Sequence, residues 1–262
     1  MQSLKSLLII LLTVGYTLFF TACSEDDSAT PDPVETAQQV NLANDGTLGP
    51  YLVNQDGRAL YFFSRDVDGS SACVDGCLDA WPVFHRDNLE FGSGLSSPDF
   101  GTITREDGQQ QTTYKGWPLY YYSGDSGADE INGEGVGQVW FVAKPDYTLM
   151  LATQTVEGVG SDPISYLVDA EGNSLYYFLN DEDNVSTCVD GCLQAWPAFS
   201  EVADVVLPST LNQGAFASID RPDGDKQLTY AGRPIYFFAQ DSERGDTNGA
   251  TAPNWTISQL PQ

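Results

Sequence analysis

Apolar side chains in this chain come in short runs where aromatic and β-branched residues crowd together, each closed within a few positions by Gly, Asp or Asn. Leu60 to Phe63, Leu119 to Tyr122, Leu175 to Phe178 and Ile235 to Phe238 are of this kind. Runs of that length and composition predict strands, because such side chains pack well on a pleated surface. Alternation puts Tyr61 and Phe63 on one face and Phe62 on the other, so strands with rings on both faces are expected to lie buried between layers. Asp56-Gly57, Asp107-Gly108 and Asp223-Gly224 predict tight turns, since glycine there tolerates positive φ. Lys115-Gly116 and Ala231-Gly232, each followed closely by proline, predict further reversals. A sustained 3.6-residue apolar period is absent, and only short helical turns running to Trp81 and Trp196 are expected. The fold class predicted is all-β.

The pattern repeats. Cys73-Val-Asp-Gly-Cys-Leu-Asp-Ala-Trp-Pro-Val-Phe84 returns as Cys188-Val-Asp-Gly-Cys-Leu-Gln-Ala-Trp-Pro-Ala-Phe199, identical at 10 of 12 positions and offset by 115. Tyr51 to Phe63 matches Tyr166 to Phe178, Tyr114 to Tyr120 matches Tyr230 to Tyr236, and Trp140 matches Trp255. Self-similarity on this scale means a duplicated structural unit. It divides the chain into two β-rich domains, residues 40–157 and 158–262. A weaker repeat lies inside each, since the four aromatic runs all continue to an aspartate: Asp66, Asp125, Asp181 and Asp241. Whether these units close into a propeller-like ring or form two separate sheets is left open by the sequence.

The N-terminus follows different rules. Lys5 precedes an uncharged, largely apolar run from Leu7 to Phe20, then Thr21, Ala22 and Cys23. This is the layout of a secretory signal over residues 1–22. The run falls short of the roughly 20 apolar residues of a spanning helix. Phe20-Thr21-Ala22-Cys23 resembles the lipobox of bacterial lipoproteins, departing from it at Phe20, where leucine is usual. The resemblance implies that Cys23 becomes the lipidated first residue. Residues 23–39 combine acid, Ser/Thr and Pro without aromatics and are read as a flexible acidic tether. Its opening, Ser24-Glu25-Asp26-Asp27, resembles an export tag for the outer face of the outer membrane, and equally fits the start of an acidic linker.

Charge and cysteine usage narrow the function classes. The net charge of −26 becomes −27 when Lys5 is removed with the signal, leaving 10 basic against 37 acidic residues. A surface so acidic argues against nucleic acid as a partner. Thirteen Tyr, thirteen Phe and five Trp still provide a core, unlike disordered acidic segments. Assigning Cys23 to lipid leaves Cys73 with Cys77 and Cys188 with Cys192, pairs expected to be oxidised outside the cytosol. Bending around Gly76 and Gly191 would bring each pair within disulfide reach, to fix the turn that presents Trp81 and Trp196. A redox role has less support, because no basic residue lies between the thiols. Asp66 with Asp68, and Asp181 with Asp183, alternate as calcium ligands do, without completing an EF-hand loop. They are candidate Ca²⁺ sites. The only histidine, His85, aligns with Ser200, so a duplicated His-based catalytic site is excluded.

Each aromatic run fits Tyr-x-aromatic-x-x-Asp: Tyr61/Phe63/Asp66, Tyr120/Tyr122/Asp125, Tyr176/Phe178/Asp181 and Tyr236/Phe238/Asp241. With the Cys-x-x-x-Cys-x-x-x-Trp-Pro segments, the chain resembles the bacterial secreted-repeat lipoproteins defined by that motif, whose function is uncharacterised. The resemblance implies a fold family and an envelope address and carries no activity. The expectation is a lipid-anchored, non-catalytic binding module, outer-membrane and outward-facing if the tag reading holds, with a protein, glycan or small molecule as ligand. The rival is an accessory to envelope redox chemistry.

Overall fold

The computed structural model describes residues 38–260, so the signal, Cys23 and nearly all of the tether lie outside the described residues. Within them two of the four aromatic runs are strands as their composition predicts, Tyr61–Phe63 and Tyr176–Phe178, whereas Leu119 to Tyr122 and Ile235 to Phe238 make only isolated bridges, at Tyr120 and Tyr236, because each follows directly on a two-residue strand of the meander. Tyr61–Phe63 pairs antiparallel with Trp140–Val142, and Tyr176–Phe178 with Trp255–Ile257 in the same register, Phe63 opposite Trp140 and Phe178 opposite Trp255. The alternation holds: Tyr61 and Phe63 join one apolar cluster and Phe62 another. After each Cys loop comes a four-residue helix, Cys77–Ala80 and Cys192–Ala195. A three-stranded meander follows, Phe100–Thr104, Gln110–Tyr114 and Trp117–Pro118 in the first repeat and Phe216–Asp220, Lys226–Tyr230 and Arg233–Pro234 in the second.

The predicted turns form where expected. Gly57, Gly108 and Gly224 all have φ near +80 to +92°. Lys115-Gly116 and Ala231-Gly232 have positive φ at both residues and join directly paired strands, as two-residue type I′ hairpins do. Gly116 has a second reason to be glycine, because a Cβ there would collide with the Arg244 guanidinium.

Six small sheets of two or three strands result among the described residues. The division at 157 is not where the chain divides in space. Leu149–Gln154 pairs antiparallel with Ile164–Asp169 and so serves the second repeat as Gln38–Asp45 serves the first. Residues 38–260 fall within one compact unit. Its largest apolar cluster takes Leu52, Phe62 and Trp117 from the first repeat and Tyr166, Tyr176 and Trp255 from the second. The repeats are further tied by the Trp117 indole donating to the Ala170 carbonyl at 2.9 Å and by Arg244. The Arg244 guanidinium donates to the carbonyls of Val67 and Lys115 and lies 4.8 Å from the Trp117 ring centre. At the N-terminal edge, Gln38 and Gln39 already belong to a strand. They run parallel to Leu89 and Glu90, so the tether reading ends just before them.

Candidate functional site

The motif residues come together by exchange between the two units of each repeat. Tyr61 Oη donates to Asp125 Oδ2 at 2.6 Å, while Tyr120 Oη donates to Asp66 Oδ2, also at 2.6 Å. The second repeat does the same, Tyr176 to Asp241 at 2.5 Å and Tyr236 to Asp181 at 2.7 Å. The exchange follows from strand pairing, because Tyr61 bonds backbone to backbone with Tyr120, and Tyr176 with Tyr236. Each carboxylate's other oxygen accepts a backbone N–H further along its own loop: Ala72 for Asp66, Asn132 for Asp125, Thr187 for Asp181 and Asn248 for Asp241. One side chain thereby anchors the ring of the neighbouring unit and orders the loop that follows.

Burial first, and then the carboxylate, holds the Tyr61, Tyr120 and Tyr176 phenols well above their ordinary range, so the proton stays on the ring oxygen. Asp66, fully buried, is pushed up to about 7 by desolvation, against the hydrogen bonds from Tyr120 and Ala72 that lower it.

The motif's second aromatic positions build a ring column. Phe63, Trp140, Trp81 and Tyr122 stack in that order with centroids 4.0, 3.8 and 4.4 Å apart. Phe178, Trp255, Trp196 and Phe238 repeat it at 4.5, 3.7 and 4.2 Å. Glycines close the side of each column: a Cβ on Gly133 would meet the Tyr61 and Trp81 rings, and one on Gly249 the Tyr176 and Trp196 rings, below 3 Å. Both disulfides are formed, with Cα atoms 5.4 Å apart, inside the 4.4–6.8 Å range a disulfide accepts. The bend differs from the one expected. Gly76 and Gly191 have right-handed φ near −60°, and the left-handed residues are Asp75 and Asp190, each at φ 50°.

Sequence reasoning missed the groups that support these loops. Arg105, almost fully buried, donates to the Ser71 hydroxyl, the Gln111 side chain and the Cys73 carbonyl, and pairs with Asp107 at 3.3 Å. Arg221 makes the matching bonds to Ser186, Gln227 and Cys188 and pairs with Asp223 at 2.9 Å. Gln111 and Gln227 pass the connection on to the carbonyls of Leu119 and Ile235. The signal was present, since Arg-x-Asp-Gly-x-x-Gln occurs in both repeats, as does the pair Asn132-Gly133 and Asn248-Gly249.

One secreted-repeat family model, described as of unknown function, matches the chain four times, over residues 43–85, 101–144, 165–200 and 217–257. The chain belongs to that secreted-repeat family. Each match contains one Tyr-x-aromatic-x-x-Asp motif and one tryptophan of a ring column, so the family unit is half of a Tyr–Asp exchange and half of a column. Searches of curated proteins and of solved structures return no match. Membership points to a location outside the cytoplasm, and among the described residues no helix is long and apolar enough to cross a membrane.

The secreted repeat uses its acids internally more than the calcium reading supposed. Asp66 and Asp181 hold a tyrosine and a loop, Asp68 accepts from Ser70 N and Oγ, and Asp183 is exposed. Among the described residues no group of three or more His, Cys, Asp or Glu side chains is placed to hold a metal. His85 pairs with Asp87 at 3.5 Å. An open concavity of about 490 Å³ lies where the repeats meet, with Tyr147, Phe199 and Phe237 as its aromatic wall and Asp169, Glu171 and Lys115 among its polar groups. A second, of about 450 Å³, lies beside the first disulfide loop and is bordered by Arg105.

Proposed function

We propose that this secreted-repeat chain is a lipid-anchored envelope protein acting as a non-catalytic binding module. The observation carrying the proposal is that every tyrosine, aspartate and clip cysteine of the repeated motif is engaged inside the fold. These groups therefore make a rigid scaffold, and the open 490 Å³ cleft falls within the size range of ligand sites. The disulfides support the same reading. Cys73 and Cys188 are fully buried, their carbonyls are held by Arg105 and Arg221, and each clip closes so short a loop that it contributes only about 2 kcal/mol. Their role is to hold the turn that delivers Trp81 and Trp196 to the columns.

Thiol trapping across defined redox buffers tests this against redox cycling. Structural clips stay oxidised until the poise falls below about −300 mV. Equilibration near −200 mV would overturn the scaffold reading in favour of redox cycling. In the same cells, Cys23→Ala is expected to move the protein from the membrane to the soluble fraction, and retention would refute the anchor.

A further inference from the structure

The two repeats treat one equivalent place differently. In the first repeat Phe84 and Tyr121 meet edge to face at 5.6 Å, and two cations of the same repeat cover them. The Arg58 guanidinium lies 4.7 Å from the Tyr121 ring centre and that of Arg86 5.5 Å from Phe84's. The matching rings of the second repeat are Phe199 and Phe237, 5.4 Å apart, and they line the 490 Å³ cleft. The residues matching Arg58 and Arg86 are Asn173 and Glu201, and the one matching Asn54 is Asp169.

Backbone geometry does not explain the difference. Asn54 Oδ1 accepts from Asp56 N and Arg58 N, and Asp169 Oδ1 accepts in the same way from Glu171 N and Asn173 N. What changes is charge and one hydroxyl: both covering guanidiniums are lost, Phe237 lacks the Tyr121 hydroxyl that accepts from Asn54 and Arg86, and a half-buried carboxylate appears at the cleft edge, its second oxygen accepting from the Asn173 amide at 2.7 Å, with exposed Glu171 beside it. Two cations of the chain are near: Lys115 turns its ammonium onto the Pro145 carbonyl at 2.9 Å, and the Arg244 guanidinium, drawn by Asp169 and Glu171, is held on the carbonyls of Val67 and Lys115, while Glu201 faces Lys226 at 3.9 Å.

We propose that the cleft of the second repeat binds the arginine side chain of a basic peptide, taking from a partner the guanidinium that the first repeat supplies to itself. The aromatic wall of Phe199, Phe237 and Tyr147 receives the planar cation and its aliphatic stem, and Asp169 and Glu171 provide the counter-charge. This rests on the binding-module reading and names its ligand class.

The test is calorimetric titration of the full chain with N-acetylated, C-amidated Gly-Arg-Gly and with its citrulline counterpart, which keeps the shape and removes the charge. The arginine peptide is expected to bind at least about tenfold more tightly, with affinity falling as salt is raised. Asn173→Arg restores an internal guanidinium like Arg58 and is expected to abolish binding. Asp169→Asn keeps the turn as Asn54 does and is expected to weaken binding about fivefold or more. Absence of binding, equal binding of citrulline, or full affinity in a folded Asn173→Arg protein would overturn the assignment. The scaffold reading would survive such a failure, because it depends on the redox titration instead.

Discussion

Replacing Trp81 by alanine is expected to destabilise the protein by about 3–5 kcal/mol, the cost of deleting a buried indole. Trp81 is 5% exposed and sits inside the ring column, in face-to-face contact with Trp140 and Tyr122 and edge-on to Tyr61. Contacts of this kind add about 0.5–1.5 kcal/mol per pair beyond burial. Trp196→Ala should cost a similar amount, since Trp196 makes the same contacts to Trp255, Phe238 and Tyr176. Removing the half-buried end ring Tyr122 should cost less, because it stacks on one ring, Trp81, and its other ring contact, with Tyr61, is a looser T-shaped one at 6.3 Å. Denaturant unfolding of the three variants gives the ranking. A Trp81→Ala protein within 1 kcal/mol of wild type would mean that the columns do not support the fold.

Stability is expected to fall as pH rises from about 4 to about 7, and the largest single-group contribution to the slope is Asp66. Burial raises its folded-state pKa from 3.8 to about 7. Between those values the folded chain holds a proton that the unfolded chain has lost, so the stabilisation is fully present below pH 4 and is lost as pH rises through 7. A shift of about three units corresponds to at most about 4 kcal/mol. Asp66→Asn removes the titration and keeps an oxygen that can accept from Ala72 N. Its stability should therefore depend less on pH across this window, from a lower baseline because the amide nitrogen replaces the oxygen that accepts from Tyr120. A wild-type slope retained in full by the variant would assign the dependence to other acids.

The sequence was most legible where structure is decided locally. Gly57 and Gly108 mark their turns, and the alternation of Tyr61, Phe62 and Phe63 marks a strand buried on both faces, because φ preference and side-chain period act within a few residues. The Cys loops were legible as clips from their spacing together with the export signal, although the left-handed position belongs to Asp75 rather than Gly76. The Tyr–Asp exchange was not legible. A motif read along the chain associates Tyr61 with Asp66, whereas the fold gives Tyr61 to Asp125 through a strand pairing that no local period encodes. Arg105 and Arg221 were passed over because arginine is a surface residue by default. Their burial is tolerable because each is bonded to a serine, a glutamine and a Cys carbonyl and paired with an aspartate, partners that only the fold brings together. The division at 157 followed sequence identity at a fixed offset, which is blind to Leu149–Gln154 because a longer connection to Ile164–Asp169 moves the shared pair, Leu42-Ala43 and Leu151-Ala152, out of the 115-residue offset.

That the motif acts by exchange between units, as an internal lock, is tested most directly by two double-mutant cycles read by denaturant unfolding. One combines Tyr61→Phe with Asp125→Ala, the pair joined at 2.6 Å. The other combines Tyr61→Phe with Asp66→Ala, neighbours in one heptapeptide whose side chains share no hydrogen-bond partner. The exchanged pair should show a coupling of about 1.5–3 kcal/mol, the range for a hydrogen bond to a charged group, and the heptapeptide pair should be additive within about 0.5 kcal/mol. Coupling confined to Tyr61 and Asp66, with none between Tyr61 and Asp125, would contradict the exchange.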